Sequence, residues 1–190
     1  METIKNTRVR YIVDARTSRF TVQAFATGLL SAVGHNPTIG VRNFSGDVNF
    51  SSEAIQGSEF RMSIKANSLS VQDDISDKDR REIERLMNER VLETAKYPEI
   101  VYEAPLFSIT RMGESLYTAN LDGSLTLHGV THRLPVTARV AIFGTVLRAS
   151  GDFTLKQTDY GIRPISVAGG AIKLKDELKF CFEMVAREQE

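Results

Sequence analysis

The amino-acid sequence predicts an all-β protein of antiparallel strands, arranged as a sandwich or barrel, with one helical insertion. Apolar and polar residues alternate with a period of two along most of the chain, which is typical of strands that have one face in water. Turn-forming residues separate the runs at short intervals. One charged segment alone has helical spacing. No linker or repeat interrupts the chain, so we interpret residues 1–190 as one domain.

The first strands are predicted near residues 9–14, 17–26 and 39–50, followed by a run around residues 60–65. In this last run the apolar residues occupy even positions and the polar residues odd positions. Because successive side chains of a strand point to opposite faces, such a run presents one face to a core and the other to water.

A helix is predicted over residues 76–92. Ser76 is suited to cap its N-terminus, and the spacing of Arg80 and Glu84 favours an i,i+4 ion pair. The apolar residues of the segment form one stripe, made of Ile83, Leu86, Met87 and Val91. We therefore expect the helix to pack this stripe across a flank or mouth of the sheet.

The remaining strands are predicted near residues 98–110, 121–127, 134–142, 146–156 and 178–187. Turn signals separate several of them, at Met112–Ser115, Gly129 and Gly144. Cys181 lies in the last run and is the only cysteine, which excludes an internal disulfide. We predict that it serves as a small buried apolar side chain.

Charge and hydropathy exclude several classes of function. Lys plus Arg and Asp plus Glu both number 24, so the formal net charge is zero and nothing favours nucleic acid as a partner. The first ten residues lack the apolar run of a signal peptide, and no stretch approaches the roughly 20 apolar residues of a membrane-spanning helix. The sequence therefore predicts a cytoplasmic protein with no membrane span.

The apolar faces mix large and very small residues, and this mixture bears on function. The large ones include Phe20, Phe50, Phe60, Phe153, Phe180 and Phe182, and the small ones Ala24, Gly46, Ala119, Gly123, Ala138, Ala149 and Gly151. A barrel of about eight strands is just wide enough either to be filled by side chains or to hold one small ligand. Small inward residues thus leave two alternatives, an apolar cavity or a solid interdigitated core.

Several strings, in order, resemble the YceI-like family of lipocalin-like proteins that bind isoprenoids and other long-chain lipids. They are Tyr11–Asp14 with Ser18–Phe20, Phe44–Asp47, Tyr97–Ile100, Gly123–His132, Gly151–Leu155 and Asp159–Ile162. The most specific string, GSLTLHGVTH, matches the family's Gly-x-Leu-Thr-x-x-Gly-Val-Thr hairpin. The likeness covers about residues 9–186. It departs from the family pattern at Lys78–Arg80 and Met87–Leu92, near the expected barrel entrance.

The resemblance implies an extended, lipocalin-like antiparallel barrel of about eight strands, often a homodimer and periplasmic, with an isoprenoid or lipid as its bound molecule. The expected function is non-catalytic binding, transport or sequestration of a polyprenyl chain, isoprenoid quinone or fatty-acyl compound. The residues predicted to line the cavity are Phe20, Val22, Leu29, Leu30, Val33, His35, Phe50, Ile64, Leu125, Val140 and Phe153. His35 has two interpretations, a hydrogen bond to a ligand headgroup or a bond to local backbone groups.

Catalytic motifs are lacking, so no catalytic residue is predicted. His128 and His132 flank Gly129 and are expected to face solvent on a hairpin turn rather than to bind a metal. Two alternatives to the carrier hypothesis stay open at this point. One is a small metal- or haem-dependent enzyme or sensor that uses His35, and the other is a solid-core interaction protein.

Overall fold

The structure is a computed structural model that describes residues 9–27, 36–50, 58–105, 107–167 and 172–189. The strands within these ranges are β1 Val9–Val13, β2 Arg19–Thr27, β3 Thr38–Val41, β4 Phe44–Phe50, β5 Glu59–Lys65, β6 Leu69–Val71, β7 Glu99–Ala104, β8 Phe107–Arg111, β9 Leu116–Leu127, β10 Val130–Phe143, β11 Val146–Lys156, β12 Ser166–Val167 and β13 Ile172–Glu188. The helix α1 spans Asp77–Leu86, and a π-helical turn continues it over Met87–Val91.

The strands close into an antiparallel barrel. Eight of them follow one another in the order β1–β4–β5–β7–β9–β10–β11–β13, and β13 pairs back to β1. The closure joins Tyr11 to Glu188 and Val13 to Ala186. A closed barrel leaves no free edge around its circumference. The predicted all-β barrel with one helical insertion is therefore confirmed.

On one side of the barrel, two shorter strands follow each other end to end where a single long strand would otherwise run. The first part of β13 pairs with β2 and its last residues with β1, so β1 and β2 follow the same neighbour. In the same way β3 and β4 succeed each other, as do β5 and β6. The strands β2, β3 and β6 thus extend the wall at the end of the barrel where α1 lies.

Helix α1 begins as the sequence predicts. The hydroxyl oxygen of Ser76 accepts a hydrogen bond from the backbone N–H of Asp79, at 3.1 Å. The expected Arg80–Glu84 ion pair is wrong, because both side chains turn to the backbone of β6. Glu84 accepts from the N–H of Val71 at 3.0 Å, and Arg80 donates to the carbonyls of Val71 and Asp73. The helix therefore satisfies the N–H and the carbonyl of Val71, on the edge of β6 that carries no neighbouring strand among the described residues.

The prediction that Cys181 is buried is wrong, since its side chain is exposed. The alternation of β13 explains this result: Phe180 and Phe182 both pack into the interior, so the residue between them faces outwards. Within the part of the chain that the structure describes, no helix is long and apolar enough to cross a membrane.

Candidate functional site

The barrel encloses an apolar cavity of about 520 Å³. This volume lies within the range of about 300–1,000 Å³ that is usual for small-molecule sites. The cavity extends from Phe50 and Met184, near the closure by β1, to Pro37 and Leu174, at the end where α1 lies. The solid core that was one alternative at the level of sequence is not what the structure shows.

Seven of the residues predicted to line a cavity do line it. They are Phe20, Val22, Phe50, Ile64, Leu125, Val140 and Phe153. The other four, Leu29, Leu30, Val33 and His35, lie outside the described residues. The interpretations of His35 therefore stay predictions.

The sequence-based list missed the contribution of α1 to the wall. The helix places its apolar stripe, Ile83, Leu86, Met87 and Val91, on the cavity. This placement agrees with the expectation that the stripe packs across a flank or mouth of the sheet. The helical spacing of these residues was the signal that could have added them to the site.

Alanines create much of the open space. Ala119 on β9 lies directly opposite Ala138 on β10, and Ala149 on β11 lies opposite Val140. All three alanines line the cavity and are less than a tenth exposed. Three neighbouring strands therefore present short side chains to the same region of the lumen, and the volume that larger residues would fill is left free.

The glycines do not add to this space, although the sequence suggested that small inward residues, glycines among them, could leave room for a cavity. A Cβ on Gly123 would meet the Tyr102 side chain, and one on Gly151 would meet the Phe182 ring at 2.8 Å. Aromatic rings thus cover these two glycines and fill the room above them. A bulky residue at Gly151 would also approach the Thr137 carbonyl, at 2.8 Å from the Cβ, and so would disturb the β10–β11 pairing.

Two uncharged polar groups on the wall are held by the protein itself. The Tyr102 hydroxyl donates to the Leu134 carbonyl at 3.0 Å, and burial raises the pKa of Tyr102 to about 12. Gln157 is 4% exposed and donates to the Lys175 carbonyl at 2.9 Å. Because these donors are occupied, the middle of the cavity offers a ligand mainly apolar contact.

His128 does not face solvent as expected. Its Nε2 lies 2.6 Å from a carboxylate oxygen of Glu93, its Nδ1 3.3 Å from the Tyr160 carbonyl, and its ring centroid 4.4 Å from that of Tyr97. His132 is exposed, and its ring makes a T-shaped contact with that of Tyr160. His128 therefore ties the β9–β10 turn to the chain that follows α1. In the described ranges no group of three or more His, Cys, Asp or Glu side chains is placed to hold a metal ion.

Solved structures with this fold come from several bacteria. BcnA of Burkholderia cenocepacia superposes with a TM-score of 0.68 at 18% identity, over 91% of this chain and 98% of that one. A polyisoprenoid binding domain from Saccharophagus degradans, implicated in plant cell wall breakdown, gives 0.66 at 16% identity, over 94% and 98%. The YceI protein of Campylobacter jejuni gives 0.60 at 15% identity, over 83% and 88%. At these identities the likeness shows a shared fold.

The search of curated protein sequences found no match. The family model described as a YceI-like domain matches residues 11–186, a span that runs from β1 to β13 and includes every described residue of the cavity wall. This chain therefore belongs to the YceI-like family.

Proposed function

We propose that this protein binds one long apolar molecule inside the barrel and transports or sequesters it without chemical change. The ligand classes are a polyprenyl chain, an isoprenoid quinone or a fatty-acyl compound. The observation that carries the proposal is the cavity of about 520 Å³, whose wall is apolar almost throughout. The polyisoprenoid-binding domain with the same fold supports the same ligand class.

Burial of hydrocarbon is the force that would hold such a ligand. Removing apolar surface from water contributes about 25 cal/mol per Å², or about 0.8 kcal/mol for each buried methylene. Part of this gain is offset by the lost freedom of the ligand. We therefore expect affinity to rise with chain length until the cavity is full, and then to level off. A headgroup-dominated site would instead show little dependence on chain length.

Native mass spectrometry of freshly purified protein tests this proposal, followed by extraction with organic solvent and identification of the released compound. We expect a near-stoichiometric isoprenoid, quinone or fatty-acyl species. If the protein is ligand-free and its mass stays unchanged after incubation with polyprenols and fatty acids of graded length, the proposal is wrong.

The homodimer implied by the family and the cytoplasmic location predicted from the sequence stay predictions. Sedimentation equilibrium of the purified protein measures the first, and fractionation of the source cells measures the second.

A further inference from the structure

The charged groups on the cavity wall are of one sign. Among the described residues that line the cavity, Asp73 and Asp79 are the only charged side chains, and no Lys, Arg or His joins them. Asp73 precedes α1 and Asp79 lies in its first turn, so the negative charge lies at one end of an otherwise apolar wall.

Each carboxylate accepts a hydrogen bond on only one of its two oxygens. Oδ2 of Asp73 accepts from the backbone N–H of Thr38 at 2.9 Å, and Oδ2 of Asp79 accepts from the hydroxyl of Ser76 at 2.7 Å. In the described ranges neither Oδ1 has a hydrogen-bond partner, and neither carboxylate forms an ion pair. Each thus keeps one acceptor oxygen and its negative charge for a ligand.

The guanidinium of Arg80, which follows Asp79 in the sequence, is engaged by backbone groups. Arg80 does not line the cavity, and its guanidinium donates to the carbonyls of Val71 and Asp73. The N-terminus of α1 generally favours anions, but here Ser76 caps it and Asp77 and Asp79 occupy its first turn. An anionic headgroup at this end would therefore meet two carboxylates without a free cation on the described wall.

Wall residues at this end of the cavity are accessible to water. Asp79 is exposed, and Ile83, which lines the cavity one turn further along α1, is 37% exposed. Residues deeper in the lumen, such as Ala138 and Leu147, are 4% and 2% exposed. A ligand with one polar end would leave that end at the carboxylates and bury its chain in the apolar part.

We propose that the cavity selects long apolar ligands whose polar end is a hydrogen-bond donor or a cation, an alcohol or an amine, over those that end in a phosphate or carboxylate. This inference rests on the proposed lumen binding and adds the headgroup class to it. Alcohols and amines donate to the free Oδ1 atoms, whereas anionic headgroups are repelled by both carboxylates.

Three probes with the same chain and different ends test this inference: farnesol, farnesylamine and farnesyl phosphate. Isothermal titration calorimetry at pH 7 and low salt measures each Kd. We expect the alcohol and the amine to bind at least about tenfold tighter than the phosphate, a difference of about 1.4 kcal/mol or more. Added salt is expected to narrow the gap between amine and phosphate, because it screens charges at an exposed site.

The double variant Asp73→Asn/Asp79→Asn removes the charge and keeps an oxygen that accepts from Thr38 and Ser76. We expect it to tighten phosphate binding, weaken amine binding and leave farnesol within about threefold, so that the selectivity largely disappears. The matched control is Asp74→Asn/Asp77→Asn, which removes the same charge from residues that do not line the cavity. This control is expected to keep the selectivity of the parent protein.

The outcomes separate this inference from the proposed function. Equal binding of the three probes, tightest binding of the phosphate, or an equal loss of selectivity in the control overturns the headgroup inference and leaves lumen binding intact. If none of the three probes binds, the lumen site itself is wrong, and the headgroup inference falls with it.

Discussion

Tyr102 and Gly123 illustrate how the barrel wall is packed at the level of single residues. Tyr102 lies on β7 directly opposite Leu125, and its ring crosses the diagonal position held by Gly123. A glycine inside a strand is a weak point, because it has no side chain to pack. The ring covers this glycine, and its hydroxyl bonds the Leu134 carbonyl on the next strand. The contact therefore joins β7, β9 and β10.

Gly123→Ala is expected to destabilise the protein by more than about 2 kcal/mol, because overpacking forces shifts in a well-packed wall. The new Cβ would lie 2.8 Å from the backbone oxygen of Glu103, which cannot move without disturbing the β7–β9 pairing. Chemical denaturation measures the loss. Gly113→Ala is the matched control: its Cβ would meet nothing closer than 3.7 Å, and stability should change little.

Ala138→Phe is expected to abolish ligand binding by filling the lumen. Ala138 is 4% exposed, lines the cavity and faces Ala119, so a ring at this position enters the space between the alanines. Because open volume is available, we expect the melting temperature to change less than binding does. Binding of farnesol is the readout. Thr137→Phe places the same ring on the outer face of β10 and should bind normally, and unimpaired binding by Ala138→Phe would contradict a site in the lumen.

Prediction of single residues from the sequence succeeded where strand alternation determines which face a side chain occupies. It failed where packing against residues distant in the sequence determines the exposure of a side chain. Alternation placed Phe20, Val140 and Phe153 on the cavity, and applied strictly to β13 it would have shown Cys181 to be exposed. His128 lies on a two-residue turn, which by itself indicates solvent. Only the approach of Glu93 and Tyr97, more than thirty residues earlier in the chain, encloses it.

At the scale of elements, α1 has two separate tasks. One face carries the apolar stripe that lines the cavity, and Arg80 and Glu84 bond the backbone of β6. A strand edge left without partners costs free energy if buried and invites association if exposed. The helix thus bonds the edge of β6 at Val71, where no strand pairs among the described residues, and covers that part of the wall.

Glu84→Ala is expected to destabilise the protein by about 1–3 kcal/mol, because the N–H of the buried residue Val71 loses its acceptor. Hydrogen exchange of the Val71 amide should accelerate more than that of amides in β10. The matched control is Glu82→Ala, which removes an exposed ion pair with Arg85 and should change stability much less, because water screens an exposed pair. Equal effects of the two substitutions would show that Glu84 acts only as a surface charge.

The helix and its stripe were predictable, because capping and periodicity are local properties of residues 76–92. The division of one wall into β1, β4 and β5 at one end and β2, β3 and β6 at the other was not. That division depends on which part of β13 each N-terminal strand meets, and such pairing leaves no local pattern in the sequence.

At the scale of the whole molecule, two buried tyrosines and one half-buried tyrosine make stability sensitive to alkaline pH. Burial raises the pKa of Tyr102 to about 12, and it also raises the pKa values of Tyr11 and Tyr160. An unfolded tyrosine ionises near 10.0. Above that pH the unfolded chain has lost protons that the folded protein keeps, so the free energy of unfolding falls as pH rises.

We therefore expect full stability below about pH 10 and a steady loss between about pH 10 and 12. Thermal melts across this range measure the loss. Tyr102→Phe has no proton to lose at this position, so its stability should decline less steeply than that of the parent protein, even though it starts lower. Parallel declines for both proteins would show that Tyr102 does not contribute to the alkaline transition.

The placement of β13 has a consequence for how the protein forms. This last strand pairs with β1, β2, β11 and β12, and Ser18 exchanges two hydrogen bonds with the backbone of Val185.

At about 5–20 residues per second, a ribosome needs roughly 10–40 s to synthesise 190 residues. During that time β1 and β2 each lack one of their two neighbours, and the apolar lumen wall faces water. Closure must follow the synthesis of the C-terminal strand, and pairing over such a sequence separation is slow. The nascent chain is therefore expected to depend on chaperones that shield apolar strands until the last strand has emerged.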